Sequence, residues 1–210
     1  MKINNIVIKG GQVNYAEKIE NIYFSVQQEI QDKLDDLRKW AGGEKVTLAI
    51  VFTDIVDSTP LGEKLGDTEM NMIRQQHIER GEKVLKEHDG FLIKTIGDSL
   101  MVAFRNVENV LDFTRAFRDN TGNELVKIRQ GAHIGITSID NDDLFGSHVN
   151  RAARIAHLAN ADEIVVSDEF KKDVDTLRHP KHKDLQWELI PNVSLKGFEG
   201  TFNLWKVKNT

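Results

Sequence analysis

The sequence predicts an α+β sandwich, with helices on one face of a sheet and a partner molecule covering the other face. Segments with helical and strand-like patterns alternate from Lys45 onward. A short hairpin signal, Gly97-Asp98, separates the segments FLIKTI and SLMVAF. Both segments are apolar at nearly every position, so we expect both faces of the sheet to be covered.

Residues 1–44 differ in character from the rest and are predicted to form an extension to one domain of residues 45–210. The first part, up to Phe24, is interpreted as short extended pieces around Gly10-Gly11. Ser25 is the predicted N-cap of a helix that ends at Gly42-Gly43. One apolar stripe runs along this helix, formed by Val26, Ile30, Leu34, Leu37 and Ala41. Such a stripe suits either packing on the chain's own domain or a short dimerising coiled coil.

The stretch VTLAIVFTDIVD organises the domain and is predicted to be a strand that ends near Asp54. Its alternate apolar residues Val46, Leu48, Ile50 and Phe52 share one face, and Asp54 continues that phase. A carboxylate at the end of a buried strand is costly unless a cation meets it. A second carboxylate, Asp98, lies in the turn of IKTIGDSLMVAF. Together they suit a hard divalent metal ion, although Asp54 could instead cap a turn and Asp98 could be an ordinary hairpin residue.

The elements that follow are predicted from apolar periodicity and from capping signals. A helix starts at Thr59-Pro60 and runs to Gly66, and a longer one is capped by Asp67-Thr68 and reaches about His88. The later elements are the strands FLIKTI and SLMVAF, a helix from Val107 to about Asn120, the strand VKIRQGAHIGIT, the acidic loop SIDNDDLFG, the helix SHVNRAARIAHLA, the strand EIVVS, the helix DEFKKDVDTL, and closing β segments LQWELI, VSLKG and FNLWKV.

Asn150 and Arg154 are four residues apart on the predicted helix SHVNRAARIAHLA, so they share a face. The buried face of the same helix is formed by Val149, Ala152, Ala153 and Ala156. An arginine fork can bind an anion through two hydrogen bonds, and an amide can both donate and accept hydrogen bonds. The alternative is a solvated helical face, which is the interpretation we give to Arg151.

Five motifs occur in order: FTDIVDST, KTIGDSLMVAF, DDLFG, VNRAARI and VSLKGFEG. In their order and spacing they resemble the catalytic domain of the class III nucleotidyl cyclases, from about Lys45 to Val207. The resemblance implies a ferredoxin-like sandwich and a homodimer with its sites between the subunits. It also implies that a nucleoside triphosphate becomes a 3′,5′-cyclic nucleotide and pyrophosphate, with two divalent ions, Mg²⁺ or Mn²⁺.

The resemblance assigns a role to each candidate residue. The metal positions are Asp54, Ile55 and Asp98, the transition-state residues are Asn150 and Arg154, the adenine-reading pair is Lys94 and Asp143, and Lys196 lies near the phosphates. Lys94 and Asp143 could also be an ordinary ion pair, and Asp142 competes with Asp143 for the role. Lys196 could equally be a surface lysine, and His148 is interpreted as a surface residue at a helix start.

The Lys94–Asp143 pattern favours ATP as substrate and cAMP as product. UTP or CTP is the alternative, because compact pyrimidine cyclases of phage-defence systems belong to the same superfamily. A non-catalytic nucleotide-binding module is disfavoured, because degenerate cyclase domains usually lose a metal aspartate or the transition-state arginine, and this sequence keeps both.

Composition excludes several classes of protein. The chain has 210 residues, of which 40% are hydrophobic and 29% are charged, which is typical of a soluble domain. No apolar run approaches the roughly 18 residues that a membrane helix needs. The absence of cysteine favours the cytoplasm. The net charge of −5 argues against a general nucleic-acid binder.

Overall fold

The computed structural model describes residues 6–8, 11–13, 15–119, 121–140, 142–177, 179–182 and 185–208. Side chains are described for residues 18–28 and, within those ranges, from residue 36 onward. No helix in this part of the chain is both long enough and apolar enough to cross a lipid bilayer.

The described chain contains ten strands and six α-helices. The strands are β1 (Ile6–Ile8), β2 (Gly11–Val13), β3 (Lys45–Ile55), β4 (Phe91–Ile96), β5 (Ser99–Phe104), β6 (Ile128–Asp140), β7 (Asp143–Phe145), β8 (Ile164–Ser167), β9 (Trp187–Val193) and β10 (Phe202–Val207). The helices are α1 (Tyr15–Ala41), α2 (Ser58–Leu65), α3 (Asp67–Glu87), α4 (Val107–Asp119), α5 (Ser147–Ala156) and α6 (Asp168–Leu177).

Eight of these strands form one sheet, in the order β4-β5-β3-β6-β8-β10-β9, with β7 paired to β6. The β6–β8 pair is parallel and the other pairs are antiparallel. The central strand β3 pairs with β6 along its whole length, from Lys45 opposite Ser138 to Ile55 opposite Ile128. Strands β1 and β2 form a separate hairpin. This arrangement confirms the predicted α+β class.

The two faces of the sheet are covered by different helices. On the first face, the larger apolar cluster joins Ala49 and Val51 of β3 to side chains of α3, α4 and α6. On the second face, Leu48 and Ile50 of β3 pack with Val149 of α5 and with the end of α1. The expectation of helices on one face only is therefore wrong, because α5 and the last turns of α1 cover part of the second face.

Helix α1 begins at Tyr15, and Ser25 lies inside it rather than at its start. The Ser25 hydroxyl donates a hydrogen bond to the carbonyl oxygen of Ile22, at 2.9 Å. The predicted stripe is not uniformly buried, because Val26 is 46% exposed whereas Leu37 is fully buried. The side chains of Ile30 and Leu34 lie outside the described residues. The predicted end at Gly42-Gly43 is confirmed.

The remaining elements agree with the predictions to within a few residues, with two differences. Part of the predicted acidic loop is the short strand β7, which pairs with the end of β6 through Ser138 and Phe145. The segment VSLKG contributes only Val193 to a strand, and the rest of it lies between β9 and β10.

Two glycines of β6 let α5 lie directly on the sheet. A Cβ atom added to Gly131 would lie 2.1 Å from the backbone nitrogen of Ala156, and one added to Gly135 would lie 2.2 Å from Nδ1 of His148. Both distances are too short for atoms that are not bonded to each other, so any larger residue at these positions would push α5 away. These glycines set the height of α5, which carries Asn150 and Arg154, above β6.

Candidate functional site

Asp54 lies at the end of β3, on the face that also carries Leu48 and Ile50. Its Oδ1 accepts a hydrogen bond from the Ser99 hydroxyl at 2.7 Å. Its Oδ2 accepts one from Nε of Arg129 at 3.0 Å and a second from Nη2 of the same side chain. The cation that a strand-end carboxylate requires is therefore Arg129, which faces Asp54 across the β3–β6 register.

Asp98 lies in the turn between β4 and β5, directly before Ser99. Because Ser99 contacts Asp54, the two aspartates lie at neighbouring strand ends. The Oδ2 atom of Asp98 is buried and has no hydrogen-bond partner among the described residues. A buried carboxylate oxygen without a donor is costly, so it is a position that a cation would stabilise.

The residues at this end of the sheet fit a hard divalent ion. The side chain of Ile55 is buried in the core, so only its backbone carbonyl could contact a metal. In the described part of the chain, no three histidine or acidic side chains cluster to form a complete protein metal site. Two carboxylates leave coordination positions for oxygens of a bound phosphate or of water, which is typical of Mg²⁺ sites.

Lys94 and Asp143 form an ion pair on the second face of the sheet. Nζ of Lys94 donates to Oδ2 of Asp143, and the Asp143 carboxylate also accepts the backbone N–H of Leu144 at 2.8 Å. A register shift in β4 precedes Lys94, which is paired with Met101 of β5. The structure therefore selects Asp143 over Asp142 as the partner of Lys94.

Asn150 and Arg154 both lie on the exposed side of α5, as their spacing predicts. Val149, Ala152 and Ala156 are buried beneath them, whereas Ala153 is only half-buried. Neither Asn150 nor Arg154 makes a side-chain hydrogen bond or ion pair within the described chain. The two side chains are thus presented outward together, free to contact a ligand or a second chain.

Arg151 and His148 correct the sequence-based interpretation. Arg151 is not solvated, because its side chain is only 18% exposed, pairs with Glu169 at 3.0 Å and lies over the ring of Phe202 at 4.7 Å. His148 is not a simple surface residue, because its Nδ1 lies 2.8 Å from Nε2 of the buried His133. Both side chains attach α5 to the body of the domain.

Lys196 lies in a segment that packs on α5, because its neighbour Leu195 shares an apolar cluster with Ile155. It is exposed between β9 and β10, and no hydrogen bond or ion pair joins it to a described residue. Three strand spacings, roughly 14 Å, separate β10 from β3. An open cavity of about 750 Å³ elsewhere is lined by Arg118, Lys127 and Asp162 among others, and contains none of the candidate residues.

A buried histidine lies beneath the carboxylate end of the sheet. The ring of His77, on α3, packs on Phe117 with 4.9 Å between ring centroids. Burial lowers the pKa of His77 to about 4, the charge of Arg80 acts in the same direction, and the charge of Asp54 opposes them. His77 is therefore neutral near pH 7, and the local positive charge at Asp54 comes from Arg129.

The family model of the adenylate and guanylate cyclase catalytic domain matches residues 42–209. The chain belongs to this family. The match covers every candidate residue, and it begins directly after α1 and includes β3 to β10.

Curated relatives of this cyclase domain are adenylate cyclases. A pH-sensitive adenylate cyclase of Mycobacterium tuberculosis is 27% identical over 169 residues, which are 80% of this chain and 41% of that protein. An adenylate cyclase of Mycosarcoma maydis is 30% identical over 161 residues, which are 62% of this chain and 6% of that protein. The chain thus spans less than half the length of these relatives.

Solved structures share the fold of the cyclase domain. The adenylyl cyclase CyaB from P. aeruginosa aligns with a TM-score of 0.69 at 18% identity, covering 80% of this chain and 96% of that chain. The guanylate cyclase domain of RhGC from Catenaria anguillulae, in complex with GTP, aligns with a TM-score of 0.67 at 16% identity, covering 77% and 96%. At these identities the likeness establishes the architecture alone.

Arg129 and His133 are the site residues that sequence reasoning missed. Both lie in the segment VKIRQGAHIGIT, for which the sequence predicts a strand and no functional role. Arg129 is the one cation of β6 and faces Asp54 only because of the antiparallel β3–β6 register. That register is a tertiary property, although a cation on a mostly apolar strand is a signal that a carboxylate partner is near.

Proposed function

We propose that this cyclase domain converts a nucleoside triphosphate, most simply ATP, into its 3′,5′-cyclic nucleotide and pyrophosphate within a homodimer. The observation that carries the proposal is the meeting of Asp54 and Asp98 at one end of the sheet, with a buried Asp98 oxygen that lacks a donor. In the reaction the ribose 3′-oxygen bonds to the α-phosphorus, the bond to the leaving pyrophosphate breaks, and the 3′-hydroxyl proton is lost.

Asp54 and Asp98, with the backbone carbonyl of Ile55, are the groups that would hold two divalent ions, Mg²⁺ or Mn²⁺. When bound, such ions make the ribose oxygen more nucleophilic and neutralise charge on the phosphates. Arg129 forms an ion pair with Asp54. If a metal ion takes over the Asp54 oxygens, the guanidinium stays at the same strand end, where it is placed to meet triphosphate oxygens.

Asn150 and Arg154 supply the transition-state contacts in this proposal. Arg154 can donate to the α-phosphate oxygens as negative charge develops, and the Asn150 amide can orient the ribose. Their height above β6 is held by Gly131 and Gly135. A rigidly held helix supports this role, because small displacements of such groups cost large factors in rate.

Lys94 and Asp143 would recognise the base. The lysine can donate to a ring nitrogen of adenine, and the aspartate can accept from its exocyclic amino group. Their mutual ion pair keeps both side chains extended and oriented before the base arrives. ATP is favoured on this ground, with UTP or CTP as the alternative substrates.

A homodimer is supported by side chains that lack partners among the described residues of one chain. Asn150 and Arg154 face outward, and Lys196 is exposed between β9 and β10. The first half of α1 exposes large apolar groups, among them Tyr23 and Phe24. We therefore assign residues 1–44 to an extension whose helix can dimerise, and residues 45–210 to the catalytic domain, with two equivalent sites formed between the subunits.

The test is incubation of the purified chain with ATP, GTP, CTP or UTP and Mn²⁺, each separately, with products identified by mass spectrometry. We expect cAMP from ATP and no product from the Asp98→Asn variant. Cyclic product from UTP or CTP alone would overturn the adenine assignment. No product from any of the four, with a folded dimer confirmed by light scattering, would favour a non-catalytic nucleotide-binding module.

A further inference from the structure

Beneath α5 lies a chain of three polar side chains that the proposed reaction does not use. His133 is fully buried on β6, and its Nδ1 lies 2.8 Å from Oγ of Ser167 at the end of β8. Its Nε2 lies 2.8 Å from Nδ1 of His148, in the first turn of α5. The two imidazole rings meet edge to edge and are nearly parallel, with 5.0 Å between centroids and an interplanar angle of 17°.

These three hydrogen-bonded side chains connect α5, β6 and β8. The His148 ring occupies the position where a Cβ of residue 135 would lie, which only glycine leaves open. At the other end, the Ser167 hydroxyl oxygen accepts the backbone N–H of Phe170 at 3.1 Å, in the first turn of α6. One hydrogen-bonded line therefore runs from α5 through β6 to the start of α6.

Two charged groups face this line. Arg151 lies one position beyond Asn150 on α5, and Glu169 of α6 approaches Nδ1 of His133 at 3.8 Å. The side chains from β8 and β3, Ser167 and Ile50, are uncharged. Burial lowers the pKa of His133 to about 4, and Glu169 opposes this while Arg151 and His148 add to it. Burial and Arg151 also lower the pKa of His148.

Near pH 7 both rings are therefore neutral, and a single proton is shared between the facing nitrogens. One ring donates this proton and the other accepts it, so the hydrogen bond is directional. It can form with either ring as the donor, each case requiring its own pair of tautomers. The geometry at the start of α5 explains why such a bond matters. The residue before the helix is Gly146, with φ of 131°, and no side chain caps the first turn.

From this geometry we infer that His148, held by His133 and Ser167, is a positioning residue that fixes the uncapped first turn of α5 and with it the direction of Asn150. The inference rests on the proposed function, because it concerns the orientation of a transition-state residue. His148 lies two positions before Asn150, on the opposite, inward side of the same turn. The line of three polar groups replaces the cap that Gly146 cannot supply.

The first experiment compares His148→Ala with His148→Asn in the dimeric, metal-loaded protein. Alanine removes the bond to His133, and we expect kcat to fall roughly 10- to 100-fold, the cost of a small displacement of a catalytic group. The KM for the nucleotide should change by less than about 3-fold, because ground-state binding is retained. Asparagine places a polar atom near the Nδ1 position and should recover most of kcat. The matched control is His157→Ala, at the exposed C-terminal end of α5.

The second experiment displaces the His148 ring without removing it. Gly135→Ala should displace the His148 ring and lower kcat, since the new methyl group would overlap Nδ1 and Cγ. In the His148→Ala background that overlap is absent, so adding Gly135→Ala should cost little more. Non-additive losses of kcat in this double-mutant cycle would show that Gly135→Ala acts through the His148 ring. Equal losses in both backgrounds, or a normal kcat for His148→Ala, would overturn the inference.

A third measurement is independent of turnover. Nitrogen-15 NMR of the histidine rings should show neutral His133 and His148 coupled through one shared proton at pH 7. The backbone amide of Asn150 donates to the carbonyl oxygen of Gly146 at 3.4 Å, and its hydrogen exchange should accelerate in His148→Ala but not in His157→Ala. Unchanged exchange would contradict the positioning role. If the wild-type chain produced no cyclic nucleotide, the proposed function would fail, while the ring coupling and the exchange would still report on the positioning of α5.

Discussion

The carboxylate end of β3 and the outer side of α5 present two kinds of site within one chain. At the first, Asp54 already has donors from Ser99 and Arg129, so the charge is balanced before any ligand arrives. At the second, Asn150 and Arg154 have no described partner, although the helix beneath them is tightly held. Burying an unpaired charge is costly, so the Asp54 carboxylate needs a cation within the folded chain. The exposed side chains of Asn150 and Arg154 are hydrated and need no protein partner before they contact a ligand.

Both regions lie over a buried neutral histidine, His77 under the first and His133 under the second. The two histidine rings differ in their hydrogen bonds. His133 is bonded at both ring nitrogens, whereas both ring nitrogens of His77 are buried without a described partner. The α5 region is therefore organised by directional bonds, and the carboxylate region by charge.

The largest expected effect tests whether the two regions act together across a dimer. Asp54→Ala and Asn150→Ala should each abolish activity, and an equal mixture should recover about one quarter of the wild-type specific activity, because half of the dimers are mixed and each has one intact site. The measurement is cyclic nucleotide formed after subunit exchange. Mixing Asp54→Ala with Asp98→Ala is the control and should recover nothing. Absence of recovery in the first mixture, with exchange verified, would mean that each site lies within one chain.

A smaller effect is expected at the base-reading pair. Replacing Lys94 by Met should lower kcat/KM for ATP roughly 10- to 100-fold, since a hydrogen bond to a charged group is worth about 1.5–3 kcal/mol. The rates with UTP and CTP should change less. Lys206→Met removes a comparable part-buried ion pair with Glu163, at 2.6 Å on β10, and should leave the substrate preference unchanged. An equal loss for all nucleotides would remove Lys94 from base recognition.

The buried histidines predict a pH dependence of stability. The pKa of His77 is lowered to about 4 in the folded chain, so between pH 6.5 and 4 the unfolded state binds the proton and the folded state does not. The contribution of His77 to the free energy of unfolding is therefore fully present above pH 6.5. This contribution decreases as the pH falls, by ~2 kcal/mol between pH 7 and 5.

Urea unfolding at pH 5 and pH 7 measures this dependence directly. The His77→Phe variant should lose that part of the slope, while His88→Gln, beyond the end of the same helix, should keep it. A slope unchanged by His77→Phe would show that His77 is not the group responsible.

The smallest effect concerns competition for Asp54. Without nucleotide, a metal ion must displace Arg129 from the carboxylate, so Arg129→Gln should tighten Mn²⁺ binding roughly 2- to 5-fold, because a partly exposed ion pair contributes about 1 kcal/mol or less. Calorimetric titration of Mn²⁺ provides the measurement. Arg105→Gln breaks an ion pair with Asp89 far from the site and should have no effect. Weaker binding in Arg129→Gln would mean that the arginine orients Asp54 for the metal instead of competing with it.

The sequence by itself determined the α+β class, most element boundaries from β3 to α6, and the candidate residues. These follow from local periodicity, capping and motif order, which depend on near neighbours along the chain. It also predicts a carboxylate partner for Lys94, because an ammonium on an apolar strand requires one, but only the structure selects Asp143 over Asp142.

Only the tertiary structure decided which partner each remaining group has. Arg129 meets Asp54 because of the β3–β6 register, and His148 meets His133 because two glycines bring α5 onto β6. Arg151 was misjudged for the same reason, since helical spacing cannot show that Glu169 and Phe202 lie beside it. Contacts between residues far apart in the chain depend on strand register and helix height, and neither is encoded in a local pattern.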